Sequence, residues 1–161
     1  MEAAIGLRPD HESLRRMNRE PRTPERLVAH YELERRLAER LRGAPAEART
    51  RVYSEVYAEL FAALPDHPQR TRDDAGAARR VAEQVAMLSP LLPAGGRYLE
   101  IGCGDAALTF AMASRAAAAY GCDVTDALVD RAAAPPNFRM LLSDGVTIPL
   151  SPASVDLAYS N

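Results

Sequence analysis

At 161 residues, 47% of them apolar, the chain can form one domain with a real core or part of a larger one. The net charge of −2 speaks against a nucleic-acid or membrane-surface protein, which usually carries a basic excess, and no apolar run approaches the ~20 residues of a membrane span. Cys103 and Cys122 lie in no C-x-x-C or His-rich setting, so neither a disulfide framework nor a zinc site is expected, and a cytoplasmic protein fits best.

In chain order, residues 1–20 are polar and without periodicity, and are expected to be mobile. Thr23 is placed to cap a helix entered through Pro24, carrying Leu27, Tyr31, Leu37 and Leu41 and ending at Gly43. The segment 47–64 repeats Val52, Tyr53, Val56, Tyr57, Leu60, Phe61 and Leu64 as one apolar stripe, which predicts a second helix stopped by Pro65. A third is predicted over 75–92, its last turn broken by Pro90. From Pro93 the texture changes. Strands are predicted at 97–101, 119–124, 138–142 and 155–160, with helices at 108–119 and 127–134 between the first three. Alternating strands and helices imply an α/β fold with a doubly wound parallel sheet, here in the order 3-2-1-4.

The chemistry concentrates in RYLEIGCGDAA, residues 97–107. A strand ending in an acid runs into a glycine turn that opens a helix. Gly102 and Gly104 lack Cβ, so the backbone can turn sharply and a ligand can come close. Such a corner suits a nucleotide. Gly102-x-Gly104-x-x-Ala107 also meets the dinucleotide pattern, and Asp123 stands where an acid grips ribose hydroxyls, so an NAD(P)-binding dehydrogenase remains an alternative. Glu100 tips the balance. It would repel a pyrophosphate and attract a ligand bearing a cationic amino group.

LEIGCGDAALT resembles the first motif of class I S-adenosylmethionine-dependent methyltransferases. YGCDVTDALVDRA resembles the family's second element, and DGVTIPLSPASVDLAYSN the stretch through its fourth strand. The resemblance covers about residues 75–161 and implies a Rossmann-like domain with S-adenosyl-L-methionine as cofactor. Glu100, Gly102, Cys103 and Gly104 are then the loop at the amino-acid end, and Asp123 the ribose acid, with Val124 beside the adenine. Asp144 receives the adenine amino group, next to Gly145. Ser160 and Asn161 line the methyl-donor side. The family commonly has a third glycine where this chain has Ala106.

No catalytic base is evident. The expected acceptor is a small molecule, since the charge disfavours nucleic acid. Cys103 reads as a small loop residue rather than a nucleophile, and His11, His30 and His67 read as surface residues without metal spacing. Residues 21–74 are expected to form a helical cover near the cofactor mouth, with a homodimer through these helices left open. The family continues past its fourth strand, so a fragment of a longer enzyme is expected, inactive alone. The alternative is a truncated, non-catalytic nucleotide-binding or interaction module.

Overall fold

The sheet grows outward from Arg97–Ile101 (β1), given by a computed structural model that describes residues 22–68, 70 and 74–160. One side of β1 pairs with Ala118–Asp123 (β2), which pairs with Phe138–Leu142 (β3); the other side pairs with Leu157–Ser160 (β4). Every pairing is parallel, and the order is β3-β2-β1-β4, as expected. The register sets Ile101 opposite both Cys122 and Ser160. The carboxyl ends of the inner strands therefore finish level, where ligands bind in open α/β sheets.

The chain divides into two units, Met1–Gly43 and Ala44–Asn161. In the first, α1 spans Pro24–Arg42, and the Thr23 hydroxyl accepts from the Arg26 backbone N–H at 3.3 Å. The predicted cap is thus in place. His30 is not on the surface: it is buried, and Arg22 Nη1 lies 3.0 Å from its Nδ1. The expectations for residues 1–20 and for His11 lie outside the described residues.

The second unit opens with a 3-10 turn, Ala46–Ala48, leading into α2 at Arg49–Ala63. Val52, Val56, Leu60 and Phe61 of the stripe are buried. Tyr57 meets Phe61, whose ring also takes the edge of His67 at 5.5 Å. Next, α3 spans Asp74–Leu88 and gives way to a 3-10 turn at Ser89–Leu91. Pro90 has no N–H to continue the α ladder, so the tightening falls there.

Side chains alternate across a strand, so Tyr98 and Glu100 of β1 share one face. Tyr98 is fully buried among Leu88, Leu92, Leu108 and Met112. That face is therefore the one covered by α3 and by the helix after β1, and Glu100 is carried to the rim of the same core.

Two predicted helices are corrected. The helix after β1, α4, spans only Ala107–Ala113 and does not reach residue 119. Alanine favours helix by only a few tenths of a kcal/mol per residue. Against that, the Asn137 side-chain amide donates to the carbonyls of Ala113 (2.9 Å) and Ala116 (3.0 Å), and Ala117 N–H donates to Gly96. These bonds turn the chain into β2. Nor are residues 127–134 helical; they form consecutive turns. The Asp130 carboxylate accepts from Ala132 N–H, the Thr125 hydroxyl from Ala127 N–H, and Arg131 pairs with Asp126. Side-chain acceptors there replace the helical ladder. In addition, β4 begins at Leu157 rather than 155, because Asp156 uses its side chain and its N–H to clamp Arg97.

Asn137 supplies two part-buried hydrogen bonds to otherwise orphaned carbonyls. Asn137→Ala should lower the stability of the full chain by about 1–3 kcal/mol, read as a shift of the urea midpoint with an unchanged slope.

Candidate functional site

Three alternate residues of the turn after β1 have left-handed backbone: Gly102 at φ +75°, Gly104 at +55° and Ala106 at +61°. Ala106 thus adopts the conformation of a third glycine while carrying a methyl group, which is fully buried. Beside Gly102, the place a Cβ would fill has no atom within 4 Å. That opening is a cradle for a ligand, and a side chain there would close it.

The donors of the turn face inward. Gly102 N–H and Cys103 N–H both donate to the Cys122 carbonyl, at 2.8 and 3.2 Å. Gly104 N–H donates to Asp123 Oδ2 at 2.8 Å, Ala106 N–H to the Cys103 carbonyl, and Ala107 N–H to Asp105 Oδ1. A phosphate cradle needs free amides converging on an anion. Here the amides of 102, 103, 104, 106 and 107 are engaged within the protein.

Asp123, half-buried at the end of β2, takes Gly104 N–H on one oxygen and Val124 N–H on the other at 2.7 Å. Each oxygen keeps a lone pair for a further donor. Glu100 is 7% exposed and accepts the Thr109 hydroxyl at 2.5 Å. Burial pushes its carboxyl up to about 7, against the pull of the Thr109 hydroxyl and N–H, and Asp105 and Asp123 add like charge. A buried acid short of donors favours a cationic partner.

Two cavities meet at Gly102. One, of about 450 Å³, is walled by Glu100, Cys103, Gly104, Asp105 and Leu108 and by the Ala77, Arg80, Val81 and Gln84 side of α3. The other, of about 300 Å³, lies between Asp123, Val124, Ser143, Gly145, Val146 and Ile148. Glu100, Gly102, Cys103, Gly104, Asp123, Val124 and Gly145 are therefore brought together around one opening.

Asp144 and Ser160 are not among the residues lining either cavity. The Asp144 carboxylate accepts from Thr147 and Val146 N–H, which hold it below the usual carboxylate range. Ser160 is exposed at the end of β4, and Asn161 lies outside the described residues. The Cys103 thiol is buried and pushed far up by that burial, which suits a wall and not a nucleophile. Among the described residues, no His/Cys/Asp/Glu cluster could hold a metal.

Sequence reasoning missed the α3 wall, Ser143, and the apolar pair Val146 and Ile148. The latter flank Thr147 just after Asp144-Gly145, a local signal of an apolar lip on a loop. The α3 residues gave no signal, since their role depends on how that helix crosses the sheet.

Residues 99–161 match the family model described as a methyltransferase domain. Over that segment the chain is similar to this family. No curated protein and no solved structure matches the chain. The matched segment begins one residue before Glu100 and contains the glycine turn, Asp123 and the lip at 143–148, while the α3 wall of the larger cavity lies outside it.

Because folding lifts the Glu100 carboxyl to about 7 from an ordinary value near 4.5, the native state holds a proton the unfolded chain has released between those values. Stability from this group is complete below about 4.5 and falls as pH rises toward 7. The loss should be on the order of 1–3 kcal/mol. Glu100→Gln, which keeps an acceptor for Thr109, should flatten that part of the stability–pH curve in chemical denaturation from pH 4 to 8.

Proposed function

We propose that the chain is an S-adenosylmethionine-dependent methyltransferase acting on a small-molecule acceptor. The observation that carries this reading is the polarity of the turn. The amides of Gly102, Cys103, Gly104, Ala106 and Ala107 are engaged internally, while a buried carboxylate faces the adjoining cavity. A dinucleotide would bring a pyrophosphate to a turn with most of its donors spent and with Glu100, Asp105 and Asp123 around it. A cofactor with a cationic amino-acid end meets complementary charge instead. The NAD(P) reading is accordingly not favoured.

In this reading, Glu100 takes the ammonium group, and Gly102 and Gly104 let the cofactor lie against the backbone, with Cys103 as wall. Asp123 accepts the ribose hydroxyls on its remaining lone pairs. Val124, Val146 and Ile148 enclose the adenine, and Gly145 allows close approach. Asp144 holds the turn that carries this lip through the N–H groups of Val146 and Thr147. Ser160 sits toward the reacting end. The bound cofactor supplies a sulfonium methyl group open to in-line attack, so the protein's task is chiefly positioning. The charge of −2 and the acidic rim favour a small acceptor over nucleic acid. No helix among the described residues is long and apolar enough to cross a membrane; a cytoplasmic enzyme is the proposed setting.

For α2 we propose a covering role over the adenosine side. A Cβ on Gly145 would stand 3.3 Å from the Tyr53 hydroxyl, so that ring backs the lip. One turn on, the Tyr57 phenol is pushed up by burial and by the Asp123 charge, which marks its nearness to the ribose acid.

The test is calorimetry with S-adenosylhomocysteine on the full chain. Wild type should bind, and Asp123→Ala should lose about 1.5–3 kcal/mol, a tenfold to hundredfold weaker Kd. Equal affinity in the two proteins would remove Asp123 from the site, and tight NADH binding would reverse the cofactor choice. Radiolabelled methyl donor offered to a small-molecule panel and to nucleic acid then identifies the acceptor class.

A further inference from the structure

Tyr98, Glu100 and Tyr159 share one face of the sheet, because side chains alternate along β1 and Glu100 stands opposite Tyr159 in the β1–β4 register. That face is the one under α3. Tyr159 packs against the cluster that encloses Tyr98, and Gln84 of α3 donates its side-chain amide to the Tyr159 hydroxyl at 3.2 Å. The Tyr98 ring is fully buried, yet its hydroxyl has no hydrogen-bond partner among the described residues. A buried O–H left bare forfeits the bond it made to water, so such a group calls for an explanation. The proton of the Tyr159 hydroxyl is not used by Gln84 either, since Gln84 is the donor in that bond. Glu100 has the opposite imbalance. Thr109 gives it a hydroxyl and an N–H, two donors for a carboxylate that can accept about four. Burial pushes the Tyr98 phenol far up, and the charge of Glu100 adds to this, which marks the two groups as neighbours.

We propose that Tyr98 is a positioning residue for Glu100: its hydroxyl, with that of Tyr159, holds one internal water against the carboxylate, and this water steadies the charged form of the acid. A buried water needs two to four polar partners. Two phenols and a carboxylate meet that need. Glu100 and Gln84 both line the 450 Å³ cavity, so solvent has a route to the carboxylate. A donor aimed at an ionised acid favours ionisation, whereas burial alone opposes it. The other groups around Glu100 do not serve in this way. Thr109 of α4 is already bonded to it, and Asp105 of the turn and Asp123 of β2 repel its charge. The Cys103 thiol points to the Met140 sulfur at 3.9 Å, and Arg80 of α3 stands on the cavity wall. The cluster belongs to the free chain and needs no cofactor. With a cofactor of the kind proposed above, the same water would set the pH below which Glu100 ceases to attract an ammonium group.

The experiment uses Tyr98→Phe, which removes the hydroxyl and keeps the ring, in the full chain without ligand. Protonation of Glu100 is followed from pH 4 to 9 through its carboxyl infrared band, assigned by the loss of that band in Glu100→Gln. In Tyr98→Phe the midpoint should move up by about one pH unit, the size expected when a donor to a charged group is lost. Tyr159→Phe should move it the same way by less, and at this half-buried position it gives the same test should Tyr98→Phe fail to fold. The melting temperature of Tyr98→Phe at pH 8, where the charged form needs its donors, should fall. A rise instead would mean that the hydroxyl was bare and costly, and would overturn the assignment. A midpoint that stays in place or moves down would also overturn it, even with a lower melting temperature, because Tyr98 would then be part of the packing and nothing more. Neither result touches the cofactor reading, since no cofactor is present in the measurement.

Discussion

The site depends on one tie: the Asp123 carboxylate held by Gly104 N–H across the ends of β1 and β2. It joins the last residue of one strand to the turn following its neighbour. With the paired bonds from Gly102 and Cys103 to the Cys122 carbonyl, it fixes the turn as part of the sheet and not as a loose loop. The position of Glu100, the opening beside Gly102 and the meeting of the two cavities all follow from that geometry. The tie also uses part of the capacity of the proposed ribose acid, so Asp123 is both a structural strut and a candidate binding group. Loss of the carboxylate removes the turn's support together with any ligand contact, and free-protein stability is the measurement that separates the two.

Electrostatics and packing oppose each other at Glu100. The same alternation that buries Tyr98 between α3 and α4 drags a carboxylate toward the core two residues later. Thr109, in the first turn of α4, meets it with a hydroxyl and an amide, and burial still dominates. A protein retaining such a group without a full partner stores an unmet preference for positive charge. That preference is directional, since the cavity lies on one side of the carboxylate and the apolar core on the other.

Much of this architecture was legible from residues alone because it rests on short-range rules. Thr23-Pro24 specified a helix start, Pro90 a broken last turn, and the apolar runs at 97–101 and 138–142 matched β1 and β3 to the residue. The parallel order followed from strand–helix alternation. What failed was local propensity against distant partners. The alanines after Ala113 read as helix, yet Asn137, far along the chain, captured their carbonyls. The segment 127–134 read as helix, yet Asp130 and the flanking Asp126 bonded their own neighbours. In the site, residues within the motif could be named, while Arg80 and Ser143 could not. Their place depends on how α3 and the loop after β3 lie over strand ends, which no spacing rule encodes.

Ala106 carries a consequence for the dynamics of the turn. A left-handed alanine costs roughly 1 kcal/mol in the folded chain relative to glycine. It also narrows the wandering of the unfolded chain by about 0.4–1 kcal/mol, which offsets only part of that cost. The turn therefore gives up a little stability relative to glycine and in return has a smaller range of backbone shapes. With a methyl group locked against Cys103 and Phe138, the turn has fewer alternatives to sample than a triple-glycine loop. A ligand arriving at Gly102 meets a surface whose conformational entropy was already surrendered during folding, so less ordering remains to oppose its capture.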